Sequence, residues 1–198
     1  MRAARKGFTL VELAVVLVIM GLIGYVFYGA IFEYLKREKI SMAQEQLEGV
    51  VTQLQGVAVA QGTLPDPAVG GLLPTSYAYS TDLWRSRVRY WLAPELAGGA
   101  AISGVTATTL SVEEYSALGP AGTFVGGTLD RTVTNVAFVL ANLGSDLTLQ
   151  VEDVGGAGAT IRILTRGYGD ITVGAVAVRY DDQAVYQTLN QMQAILLQ

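Results

Sequence analysis

The sequence predicts an α+β protein: a long N-terminal helix, apolar on every face in its first half and amphipathic in its second, packed on an antiparallel β-sheet. Three observations predict it. Twenty residues, Leu13 to Phe32, pass without a charge. Apolar positions then recur at three- and four-residue steps as far as Val57. Beyond Pro65, short strand-like stretches alternate with Gly-Gly pairs. The 198 residues suffice for one domain with an appendage. With 51% apolar residues, 15% charged residues and a mean hydropathy of +0.39, the chain is too apolar for disorder.

The first element is basic. Residues 1–62 hold six Lys/Arg and five Asp/Glu, whereas residues 63–198 hold seven Arg, no Lys and twelve Asp/Glu. The chain therefore divides into a basic, apolar front and a mildly acidic body. A net charge of −4 offers no basic surface to nucleic acid.

The apolar run LAVVLVIMGLIGYVFYGAIF is about 30 Å of helix at 1.5 Å per residue, the thickness of a bilayer's hydrocarbon core. A removable secretory signal has an apolar region of about 7–15 residues followed by small residues. This run is longer, and EYLKREKISMAQEQLEGVV continues it as helix. Arg2, Arg5 and Lys6 precede the span and Lys36, Arg37 and Lys39 follow it. Counting cations is a tie, so charge leaves the orientation open. Glu12 stands at the head of the run. At depth a carboxylate costs on the order of 2.5–3.5 kcal/mol and needs a partner or a task; in the headgroup layer it stays hydrated.

Lys6-Gly7-Phe8-Thr9-Leu10-Val11-Glu12-Leu13 resembles the leader junction of type IV prepilins. That junction is a short basic leader ending in Gly, then Phe, then an apolar helix with Glu at its fifth position. The resemblance implies a pilin-like fold and several specific properties. A membrane aspartyl peptidase, prepilin peptidase, would cut between Gly7 and Phe8 and N-methylate Phe8. Glu12 would neutralise the N-terminal amine of a neighbouring subunit during assembly. The leader would stay in the cytoplasm and the body would lie in the periplasm. Partners would be other pilin or pseudopilin subunits, an inner-membrane assembly platform and the lipid bilayer, with no cofactor. The spacing suits the chemistry, because an amine at Phe8 lies one helical turn from Glu12.

The amphipathic half carries Leu35, Ile40, Ala43, Leu47, Val50, Val51, Leu54 and Val57 on one face. Gly62 is the expected C-cap, with Pro65 beyond it. Gly21, Gly24 and Gly29 interrupt the apolar half. They suit either close helix–helix contact or a segment that unwinds on assembly, as proposed for related pilins. The expected organisation is a leader at 1–7, a transmembrane and assembly helix at 8–32, its amphipathic continuation at 33–62 and a β-rich body at 63–198.

In the body the expected strands are Val88–Ala93, Ala107–Val112, Thr132–Ala141, Leu147–Asp153, Thr160–Thr165 and Val173–Tyr180. Val185, Leu189, Met192 and Leu196 fall on one face of an expected closing helix. Three strings resemble stretches of pseudopilins. Asp82-Leu83-Trp84-Arg85-Ser86-Arg87-Val88-Arg89-Tyr90 is similar to Asp-x-Trp-Gly-x-x-Tyr-x-Tyr, whose tryptophan pins a loop to the sheet; Arg85 replaces the Gly and Val88 the first Tyr. Val136–Leu140 with Gly144 is similar to a core strand and turn, and Tyr180-Asp181-Asp182 before Leu189-Asn190 to a C-terminal segment.

An enzyme finds little support. Without cysteine or histidine there is no thiol nucleophile, no Cys-ligated metal and no imidazole base. The adjacent acids Glu113–Glu114, Glu152–Asp153 and Asp181–Asp182 point to opposite faces of a strand and read as solvated turn or edge charges. No Asp-rich loop has the oxygen density that calcium needs. The function expected is that of a non-enzymatic filament subunit, a type II secretion pseudopilin or a minor pilin. The alternative is a membrane-anchored periplasmic binding protein or adhesin that uses the leader for export.

Overall fold

The computed structural model describes residues 10–119, 123–144, 151–154, 159–164, 169–173, 176–180 and 182–197. The chain divides into two compact units, Met1–Lys39 and Ile40–Gln198. Helix α1, Leu10–Gln61, contributes to both. In the first unit the stretch Leu10–Gly29 has mean hydropathy 2.6 and buries nothing. Leu10 and Tyr25 are more than 80% exposed, and the Tyr28 and Phe32 rings meet one turn apart at 5.2 Å. The helix runs unbroken through Gly21, Gly24 and Gly29, and a Cβ at any of them would meet nothing within 4 Å.

In the second unit α1 buries Ala43, Leu47, Val50, Val51, Leu54 and Ala58. These positions recur at three- and four-residue steps with one adjacent pair, so they form a single stripe. The helix stops where the sequence places its cap. Gly62 adopts φ +73 and its N–H closes on the Ala58 carbonyl at 2.7 Å.

The described strands are β1 (Arg89–Leu92), β2 (Ser111–Ala117), β3 (Thr128–Val133), β4 (Val136–Ala141), β5 (Glu152–Val154), β6 (Thr160–Leu164), β7 (Gly169–Val173), β8 (Val176–Tyr180) and β9 (Ala184–Thr188). They form a sheet β1-β4-β9, a sheet β3-β2-β6-β5 and the hairpin β7-β8. The protein is thus α+β, with its N-terminal helix packed on sheets. Pairing is antiparallel except between β2 and β6, which run parallel with Val112 opposite Ile161. Strand β4, VAFVLA, is buried at every position. It is the centre of its sheet and shares one core with Val50 and Leu54 of α1, Tyr90, Val112 and Ile161. A strand covered on both faces reads as an unbroken apolar run, which is why it stands out in the sequence.

Several expected boundaries shift for local reasons. Thr132–Ala141 is two strands in different sheets, because Asn135 at φ +60 turns the chain between them. Its side chain holds the corner, accepting the Thr108 N–H at 2.9 Å. Ala107–Val112 is mostly loop, and the strand there starts at Ser111 and runs on to Ala117. Its Glu113 and Glu114 are held by arginines and so tolerate a strand interior. Of Leu147–Asp153, residues 147–150 lie outside the described residues, and β5 begins at Glu152. Thr160–Thr165 becomes β6, ending at Leu164, with Thr165 outside the described residues. Val173–Tyr180 straddles a hairpin, Val173 ending β7. Val185 belongs to β9 rather than to the closing helix α2 (Leu189–Leu196). That helix starts on a capping box: the Thr188 hydroxyl accepts the Gln191 N–H, and the Gln191 side chain accepts the Thr188 N–H.

Candidate functional site

The candidate site at the N-terminus is α1 itself. Glu12 lies in its first turn, exposed, where the helix dipole favours a carboxylate. Gly7 and Phe8 lie outside the described residues. From Leu10 onward the site is a cylinder of apolar side chains: Leu13, Leu17, Met20, Leu22 and Val26 are each more than half exposed. A helix of this composition is unstable against water on all sides, so its partner is lipid or other apolar helices. Among the described residues it is the one helix long and apolar enough to cross a membrane.

The body organises its polar groups for structure. Asp82 is buried, and one carboxylate oxygen accepts the N–H groups of Trp84 at 3.0 Å and Ser86 at 2.7 Å. Burial pushes this carboxyl up, and the peptide N–H groups around it pull the other way. The loop is therefore folded about Asp82, with Trp84 half-buried beside it. Arg85 sits at φ +65, the left-handed region that glycine prefers. This accounts for a Gly at the corresponding place of the stretch it resembles. Tyr90, at the last position of that stretch, is fully buried and donates to the Pro65 carbonyl at 3.1 Å.

Of the acid pairs, Glu152 and Asp153 are exposed on the edge strand β5, as the sequence suggests, whereas Glu113 and Glu114 are not solvated edge charges. Glu113 and Glu114 do part to different partners. Glu113 accepts from Arg162 at 2.9 Å and from the Tyr115 hydroxyl at 3.0 Å. Glu114 is buried and held by the Arg131 guanidinium and the Tyr186 hydroxyl, the latter at 2.7 Å. The Arg131 guanidinium holds the Glu114 carboxyl below the ordinary range, against the opposing pull of burial. Because Tyr186 belongs to β9 and Glu114 to β2, this cluster bridges the two larger sheets. Glu152 pairs with Arg162 at 3.1 Å, and Asp153 accepts the Trp91 indole N–H at 3.1 Å, tying β5 to β1. Asp182 is buried, and Asp181 lies outside the described residues. Sequence reasoning missed the Glu114–Arg131–Tyr186 cluster. The available signal was alternation, since Val112 and Glu114 share a face of β2 and Val112 is wholly buried. Among the described residues no group of three or more acidic side chains could hold a metal ion.

Residues 2–24 match the prokaryotic N-terminal methylation motif. No curated protein and no solved structure matches the chain. The matched stretch takes in most of the basic leader, the Gly7-Phe8 junction, Glu12 and the first half of the apolar run; the body lies outside it. The match supports a type IV pilin-like protein that is processed by prepilin peptidase, assembles with other pilin subunits and has a structural role.

Proposed function

We propose that this chain is a subunit of a type IV pilus-like filament, either a pseudopilin of type II secretion or a minor pilin. One observation carries the reading: a methylation motif leads directly into a helix whose 20-residue apolar stretch buries nothing within the chain. Residues 1–7 are a leader, removed by cleavage between Gly7 and Phe8, and Phe8 becomes the N-methylated first residue. Residues 8–32 span the inner membrane and then the filament core. Residues 33–62 continue the helix into the body, and 63–198 complete a periplasmic domain. Processing removes the three leader cations Arg2, Arg5 and Lys6 and replaces the amine at Met1 with one at Phe8. That amine, entering an apolar bundle, needs a counter-charge, and Glu12 of the neighbouring subunit supplies it. An assembly platform in the inner membrane would lift the processed chain from the bilayer. No step in this scheme asks for a cofactor.

The test is the mass of the protein taken from its native membrane. The expected chain begins at Phe8 and carries one added methyl group. An intact leader on assembled protein would overturn the proposal. A processed chain that never associates with other subunits would instead mark an anchored binding protein or adhesin.

A further inference from the structure

Residues 10–24 of α1 include no aromatic side chain, whereas residues 25–34 include five: Tyr25, Phe27, Tyr28, Phe32 and Tyr34. All five are half exposed or more, Tyr25 at 83% and Tyr28 and Tyr34 at 68% each. Among the described residues none of the three tyrosine hydroxyls has a hydrogen-bond partner. Such a side chain suits neither medium alone. In hydrocarbon its hydroxyl is unpaired, and in water its ring is uncovered. The rings also surround the helix. Tyr25, Tyr28 and Phe32, spaced three and four apart, share one side; Phe27 and Tyr34, seven apart, share another about 140° round the axis. A neighbouring helix would cover one side and leave the other bare. A layer that encloses the helix covers both.

We propose that these five residues form a belt seated at the membrane–water interface on the body's side, where it sets the register of the span. The inference rests on the reading of α1 as a membrane helix and adds what holds that helix at one depth. Tyrosine gathers at this interface because ring and hydroxyl are both satisfied there. The length agrees. From Leu10 to Tyr28 the helix rises about 28 Å, close to the ~30 Å of a hydrocarbon core. Tyr28 then lies where the hydrocarbon ends, with Tyr25 one turn deeper and Tyr34 among the headgroups. The first cations downstream of Lys6 follow at once: Lys36, Arg37 and Lys39. Arg37 and Lys39 are exposed, as side chains facing phosphates and water must be.

The chain has no cysteine, so single introduced cysteines report depth without background. Leu22→Cys, Ile31→Cys and Glu38→Cys, before, within and beyond the belt, are made in the full-length chain. Spheroplasts carrying each are treated with a maleimide that cannot cross membranes. Glu38→Cys should label fast, Ile31→Cys slowly and Leu22→Cys not at all. Each is then combined with replacement of all five aromatics by leucine. Leucine has no hydroxyl to keep at the interface, so the apolar stretch sinks as far as Glu33. Labelling of Ile31→Cys should then fall to that of Leu22→Cys, whereas Tyr28→Trp with Tyr34→Trp should preserve it. Unchanged or faster labelling of Ile31→Cys in the leucine background overturns the proposal and leaves the span standing. If two differently tagged copies of that chain also co-purify less, the aromatics serve a neighbouring helix instead. Leu22→Cys labelling as fast as Glu38→Cys overturns the membrane reading and the belt together.

Discussion

Between Leu10 and Gly29, α1 has a mean hydropathy of 2.6 and none of that stretch is buried. Between Ala43 and Ala58 the same helix is interrupted by Gln44, Glu45, Gln46, Glu48, Gln53 and Gln55, yet Val50, Leu54 and Ala58 are completely buried. Pattern decides burial within the chain, and hydropathy does not. A single apolar stripe can be covered by one neighbour, here the sheet around β4. A helix apolar on every side can be covered only by an environment that surrounds it, such as lipid or a bundle of its own kind. The more apolar half therefore belongs to something larger than the chain.

If the exposed half is an assembly surface, its largest single sensitivity is the charge within it. Glu12→Gln should leave processing intact, since the proposed cleavage before Phe8 lies four residues upstream, while cutting incorporation into filaments. Losing one member of a buried pair costs about 3–5 kcal/mol, whereas a hydrated headgroup carboxylate would contribute about 0–1 kcal/mol. Co-purification of the variant with wild-type subunits measures which applies, and equal recovery would reduce Glu12 to a surface residue.

The buried half should respond to volume instead. Leu54→Ala, at a fully buried position, should destabilise the body by about 2–5 kcal/mol in denaturant unfolding. Leu17→Ala, at an exposed position of the apolar half, should leave that transition unchanged. Similar losses at both would erase the contrast between the two halves.

The polar bridge between the sheets sharpens the comparison, since its stability depends on pH. Glu114 titrates lower when folded than when unfolded, with its guanidinium partner as the leading cause. Its contribution is therefore full above the ordinary carboxylate range, about pH 4.3, and is lost as pH falls through the lower folded value. Acid unfolding should be shallower in Glu114→Gln than in wild type. Tyr186→Phe, which removes the hydrogen bond donated to the Glu114 carboxylate and the one accepted from the Arg131 guanidinium, should cost at least about 1.5–3 kcal/mol at neutral pH. Parallel acid limbs in Glu114→Gln and wild type would contradict this account.

The smallest effect belongs to the end of the body. Thr188→Ala removes the N-cap of α2 and should cost about 1 kcal/mol, a fall in Tm of about 2–4 °C. The apolar half of α1 should be unaffected.

Both halves of α1, the cap at Gly62 and strand β4 were legible because each is fixed by local rules: an apolar run, a stripe, a left-handed residue, a strand covered on both faces. Glu12 and the Gly7-Phe8 junction were legible as a motif at fixed spacing. What the sequence could not supply depends on partners distant along the chain. Asn135 splits an apparent single strand because it answers to Thr108, and Val185 joins a strand because Leu140 pairs with it. The acids at 113 and 114 look like surface charges until Arg162 and Arg131 arrive from other strands. The parallel pairing of β2 with β6 likewise joins residues nearly fifty positions apart, a choice that no local periodicity encodes. Sequence by itself determined which segments are helix and which residue types stand at the junction. Tertiary structure alone decided which charges are neutralised and which strands are neighbours, because ion pairs and sheet order are made between segments rather than within them.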